Sequence, residues 1–252
     1  MNRAIFVVTL FSLVSFVGVA SERLSPTRLV EKMEKLLWSD TNQGHFEMTV
    51  VTPHWQRTLE LDVWMQRPNN TFIRVLSPKK ERGIASLRKG SEMWNYIPKI
   101  DRIVKIPPSM MLQAWMGSNF SNDDLVKESS LATDYTHVIG DLGKPERGDV
   151  AYIISTAKPD APVVWGKIES WIHVKTGIPE KQVYFDEAGK PIRELVFSAV
   201  RAMDGRLLPT VWQMTPTGDA GKYTVVEIKK IAFDRAIAPA IFTERNLRRQ
   251  NW

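Results

Sequence analysis

The sequence contains no cysteine among its 252 residues. That excludes disulfides, thiolate metal sites, a Cys nucleophile and a lipid-modified N-terminal Cys. Histidine is scarce as well: His45, His54, His137 and His173 are scattered, and none is paired at i, i+4. A metal site built from histidines is not expected. The familiar catalytic signatures are missing too, with no G-x-S-x-G elbow, H-E-x-x-H, P-loop or G-x-G-x-x-G. Asp123-Asp124 is an adjacent acidic pair. A hard cation needs about six oxygen ligands, and no others cluster nearby in sequence. The pair reads as the capped, solvated start of a helix. His54, beside Trp55 at a Pro53 turn, has no partner motif and reads as a surface residue. No catalytic residue, metal or cofactor is assigned, and no enzyme is expected.

Positive charge is in excess. Lys and Arg number 34 against 28 Asp and Glu, giving +6 and a pI near 9.5. Such a balance fits nucleic acid, an anionic membrane or an acidic partner. The N-terminus narrows the choice. Met1-Asn2-Arg3 precedes an uncharged run from Ala4 to Ala20, with Gly18 and Ala20 at −3 and −1 of a cut before Ser21. This is the pattern of a secretory signal peptide over 1–20. The competing reading is an uncleaved anchor, for which the run lies at the lower limit of length. Export makes nucleic acid a poor partner and anionic lipid or an acidic protein face a better one.

The remainder, 21–252, reads as one domain. Residues 25–38 form a helix, with Ser25 as cap, Pro26 in the first turn, and Leu29, Met33, Leu36 and Leu37 on one face. Strands follow at 43–51, 55–66, 71–76, 83–88, 91–97 and 101–106. Phe46, Met48 and Val50 share one face of the first, and Leu59, Leu61, Val63 and Met65 one face of the second. After Pro107-Pro108 the meander breaks into SMMLQAWMG, read as a short helix ending at Gly117, and a helical turn at 121–126. Strands resume at 133–140, 149–157, 165–174, 180–186, 191–202, 207–215 and 222–235, and a short tail covers 242–249. One helix, a large antiparallel sheet and one insertion define an α+β domain. So large a sheet must curl around something.

Soft apolar residues stand out, with ten methionines and nine tryptophans. The 107–126 insertion holds Met110, Met111, Leu112 and Trp115. It is either a mobile lid over an apolar cavity or a helix packed on the sheet. Counting by twos from Leu59 lands on Arg67, which strand parity points toward the apolar face unless Pro68 already ends the strand. An inward arginine needs acceptors or water. Basic residues gather at Lys79, Lys80, Arg82, Arg88, Lys89, Lys99, Arg102 and Lys105, and again at Arg245, Arg248 and Arg249. They form a solvated surface or a docking face for anionic lipid or an acidic partner.

LDVWMQRPNNTFIRV resembles the strand–Arg-Pro-Asn turn–strand of the LolA/LolB-like lipoprotein carriers of the Gram-negative periplasm, and GSEMWNYIPK resembles their next hairpin. MGSNFSNDDL is similar to the longer outer-membrane-lipoprotein-sorting branch. The resemblance implies a half-open β-barrel with helices covering the concave face, and a cavity for acyl chains. Its lining would be Phe46, Met48, Leu59, Leu61, Val63 and Met65, with Trp94 and Tyr96. Met110, Met111, Leu112 and Trp115 would form the lid, and Arg67 would lock the lid or meet a head group. It further implies a periplasmic, monomeric carrier of lipid or lipoprotein acyl chains, with an RND/MMPL or ABC-type inner-membrane transporter as donor and an outer-membrane acceptor. The alternative is an RseB/MucB-like sensory or regulatory binding module of the same fold.

Overall fold

The computed structural model describes residues 24–126, 130–141, 149–219 and 221–249. The expected signal peptide at 1–20 lies outside them. Helix α1 (Pro26–Leu37) begins as its sequence dictates, with Ser25 Oγ accepting from the Arg28 N–H and Pro26 in the first turn. It buries Leu29, Val30, Met33 and Leu37.

Thirteen strands form one antiparallel, curled and unclosed sheet. In chain order they are β1 (Thr41–Val51), β2 (Gln56–Gln66), β3 (Asn70–Ser77), β4 (Ala85–Lys89), β5 (Glu92–Ile97), β6 (Arg102–Ile106), β7 (Tyr135–Ile139), β8 (Val150–Ala157), β9 (Lys167–His173), β10 (Pro179–Phe185), β11 (Pro191–Met203), β12 (Arg206–Pro216) and β13 (Tyr223–Phe233). The spatial order is β6-β5-β4-β3-β2-β1-β13-β12-β11-β10-β9-β8-β7. The first and last strands therefore meet at the centre, and two consecutive strands, β6 and β7, form the free edges. The chain must cross from one edge to the other through 107–134. That crossing brings its apolar residues over one face of the sheet: Trp115 and Leu131 are buried in the main core, and Met111, Met116 and Phe120 pack against it.

At the central seam the register of β1 on β13 shifts between His45 and Phe46. Gly44 lies beside this bulge. A Cβ there would sit 2.4 Å from the Lys230 carbonyl oxygen, so only glycine allows the close approach.

The crossing departs from the helix expected over 109–117. It is made of two 3₁₀ turns, Pro108–Met110 and Trp115–Gly117, followed by α2 (Asn122–Val126) and α3 (Leu131–Asp134). Met116 and Gly117 both take positive φ, and Ala114 bridges back to Ser121. This folds the segment into a tight loop instead of continuing a helix. At α2, Ser121 and Asp124 form a reciprocal cap: the Ser121 N–H donates to Asp124 Oδ2 (2.7 Å) and the Asp124 N–H to Ser121 Oγ (3.2 Å).

A second apolar cluster lies on the other face of β2–β6. Strand parity separates the two: Ile73, Val75 and Met93 belong to the main core, while Phe72, Leu87 and Tyr96 belong to the second. The C-terminal tail covers the second cluster with Phe242 and with Leu247 from α4 (Glu244–Leu247). Among the described residues no helix is long and apolar enough to cross a membrane.

Candidate ligand-binding cavity

The inner face of the sheet does not close completely on its cover. A cavity of about 160 Å³ remains, walled by Phe46, Met48, Leu61, Val63 and Met65 from β1 and β2. Its opposite wall is Tyr184, Leu195, Trp212, Met214 and Val226 from β10–β13, and Trp115 and Phe120 form the roof. A second hollow of about 110 Å³ adjoins it, sharing Trp38, Met65, Tyr184, Leu195 and Trp212, and it reaches Met33, Glu34 and Arg67. The aromatic walls pack edge to face, Trp38 on Trp212 at 5.1 Å and Phe197 on Trp212 at 5.7 Å.

The structure sorts the residues chosen from sequence. Phe46, Met48, Leu61, Val63 and Met65 are on the cavity wall. Leu59 is fully buried in the same core but off the wall. Trp94 and Tyr96 are corrections: they sit on the opposite face, in the cluster under the C-terminal tail. Their neighbour Met93 takes the inner face, and alternation sends Trp94 and Tyr96 outward. In the crossing, Trp115 is buried and Met111 packs on the core. Met110 and Leu112 do not face it. They are 36% and 61% exposed, because the 3₁₀ geometry breaks the helical spacing that would have aligned them.

Arg67 lines the smaller hollow, but its partner differs from the one the resemblance implies. Its guanidinium lies 3.6 Å from Glu34 of α1, not on the 107–126 segment. Glu34 in turn accepts from Ser130 Oγ (2.6 Å) and the Leu131 N–H (2.7 Å), so this chain of contacts ties β2 to α1 and α3.

The 107–126 strap is held by other groups. Trp115 Nε1 donates to Ser86 Oγ at 3.0 Å, and Arg57 donates to the Met116 carbonyl. Asn119 and Thr224 exchange two bonds: the Asn119 N–H donates to Thr224 Oγ1, which donates to Asn119 Oδ1. The strongest attachment is a two-point ion pair from Arg193 of β11 to Asp124, with Nη1 to Oδ2 at 2.6 Å and Nη2 to Oδ1 at 2.5 Å. Asp124 is thus a largely enclosed anchor, 12% exposed, which corrects its reading as a solvated helix start. Arg193 is itself buried and lies over the rings of Trp165 and Tyr184, at 4.4 and 4.7 Å. Burial works against its charge, Asp124 outweighs it, and the net shift of the pKa is upward.

Sequence reasoning missed Arg193 and the whole β10–β13 wall. The signal was available: counting by twos back from Phe197 through Leu195 lands on Arg193, and all three are buried. No group of three or more His, Asp or Glu gathers as a metal site among the described residues.

Residues 67–249 match the model of a family described as "Uncharacterized protein". No curated protein matches the sequence. The structure is similar to that of a DUF1329 family protein from Desulfovibrio piger ATCC 29098, with TM-score 0.77 and 17% identity over 88% of this chain and 97% of that one. It is similar to a LolA superfamily protein from Nitrosomonas europaea, with TM-score 0.73 and 19% identity over 88% and 99%. A domain described as an outer membrane lipoprotein-sorting protein domain from Vibrio parahaemolyticus gives TM-score 0.73 and 17% identity over 89% and 98%.

Proposed function

We propose, from the premise that the chain belongs to the matched family of uncharacterized proteins and has the LolA-like fold, that it is an exported periplasmic binding protein. It takes an acyl chain of a lipid or lipoprotein into the cavity under the strap and passes it on without covalent chemistry. An inner-membrane transporter of RND/MMPL or ABC type supplies the cargo and an outer-membrane acceptor receives it. The signal-peptide pattern at 1–20 supports the compartment.

The observation that carries this reading is the unfilled apolar space between two walls of the sheet. Cores close to native density leave few voids larger than a water molecule. Here Phe46, Met48, Leu61, Trp212 and Met214 border one of about 160 Å³. Its lining is rich in methionine and aromatic side chains, which adapt to chains of varied shape. Each buried CH₂ contributes about 0.8 kcal/mol, so a palmitoyl-length chain offers on the order of 12 kcal/mol before losses. Both hollows fall below the range of about 300–1,000 Å³ typical of pockets for drug-sized ligands. Loading therefore requires the strap to move outward. Its attachments suit that motion, because side-chain bonds and one ion pair, not a strand ladder, bind it to the sheet. A closed form stabilised by a few kcal/mol lets a donor or acceptor shift the balance.

Titration with a fluorescent fatty acid tests the proposal. Saturable uptake by the wild-type chain is expected, with marked weakening in Phe120→Asp, a half-buried strap position in the roof of the cavity. Equal uptake by both proteins would remove the cavity from the account.

A further inference from the structure

We propose that the β6 edge and the C-terminal tail together form a cationic surface with an apolar tip that docks the protein on a bilayer of anionic lipid. The two basic groups are far apart in sequence, at 99–105 and 245–249. The fold brings them together, because α4 packs on β4 and β5 and Arg248 lies 3.6 Å from Asp101 in the turn before β6.

The charges at this place are unequal. Lys105 is paired with Glu92, and Asp101 with Arg248. Lys99, Arg102 and Arg245 are exposed and make no ion pair among the described residues, with Glu244 the remaining acid nearby. Arg245, Arg248 and Arg249 also line a groove on the tail. Amid these cations Ile100 is 58% exposed at the tip of the Pro98–Ile100 turn.

Charge on an edge strand has a simpler use, which is to discourage pairing with other sheets. That accounts for Arg102 and Lys105. It does not account for Arg245 and Arg248, which lie on the tail, nor for leaving Ile100 bare beside them. Cations around an exposed aliphatic side chain match a bilayer surface, where phosphates meet the charges and the side chain enters the interface. An acidic protein face would satisfy the charges and leave Ile100 unexplained. The proposal does not depend on the cavity.

Co-sedimentation of the full chain with vesicles tests it, using phosphatidylcholine alone or mixed with phosphatidylglycerol. Binding is expected only with phosphatidylglycerol, and it should fall as salt is raised. The triple variant Lys99→Gln, Arg102→Gln, Arg245→Gln should bind roughly a hundredfold more weakly, at about fivefold per cation. Ile100→Ser should weaken binding further at high salt. Neutralising Lys175, Lys190 and Lys222 instead, on turns of the β9–β13 half of the sheet, should leave binding within about threefold of wild type by the screening of distant charges. Equal loss in that control would assign the effect to net charge and overturn the surface. So would failure to bind phosphatidylglycerol vesicles, and binding to polyglutamate but not to vesicles would give the surface to an acidic protein. Fatty-acid uptake by the triple variant should equal wild type, which separates this test from that of the cavity.

Discussion

The sheet carries apolar residues on both faces of β2–β6, and the two faces are finished differently. On the outer face, the C-terminal tail lies directly on Phe72, Leu87, Tyr96 and Trp94 and fills the patch with Phe242 and Leu247. Arg74 fastens it by donating to the carbonyls of Arg249 and Asn246, the latter at 2.5 Å. Burial, with the nearby Arg249 charge, lowers the pKa of Arg74 to about 10. On the inner face, the strap covers a larger apolar surface and leaves room beneath it. Both covers are held by an arginine. Arg74 grips main-chain carbonyls over a filled patch. Arg193 grips one carboxylate over a hollow. Apolar burial is common to both faces; the proposed binding face differs in its incomplete filling and in a cover held through side chains.

Substitutions on the two faces should therefore have opposite signatures. The largest stability effect is expected on the outer face. Phe242→Ala removes a buried aromatic and should cost about 3–5 kcal/mol in denaturant unfolding, while the folded fraction still takes up fatty acid as wild type does. Uptake lost in proportion to that substitution would tie the tail to the ligand and break the comparison. Arg193→Met strands the Asp124 carboxylate. The loss is at most about 3–5 kcal/mol and less where the strap swings Asp124 into water. Limited proteolysis should then cut within 107–126 faster than in wild type; an unchanged cleavage rate would mean that the ion pair does not hold the strap. The smallest stability effect belongs to Val63→Phe, which fills the cavity from its wall. Unfolding free energy should change by less than about 1.5 kcal/mol, yet fatty-acid affinity should fall at least roughly tenfold, the worth of two buried CH₂ groups.

Much of this architecture is legible in the sequence. Alternation in 55–66 places Leu59, Leu61, Val63 and Met65 on one face, and Ser25-Pro26 starts α1 where the cap geometry requires. The limits are equally physical. Alternation distinguishes faces only where one is polar. In β5 both are apolar, Met93 on one side and Trp94 and Tyr96 on the other, because a tail more than a hundred residues later covers the outer side. The strap defeats helical periodicity because Met116 and Gly117 reverse the chain. Arg67 and Arg193 obey the same parity rule, yet their partners, Glu34 and Asp124, are set by tertiary contacts that no local pattern encodes.

The most direct test of lipid carriage is mass spectrometry of lipids extracted from the protein after purification from its native host without detergent. A defined acylated species near one per protein is predicted, and it would name the cargo class. A lipid-free protein that also refuses a fluorescent fatty acid would contradict the account, and would mean that the space beneath the strap is a packing defect in a regulatory module.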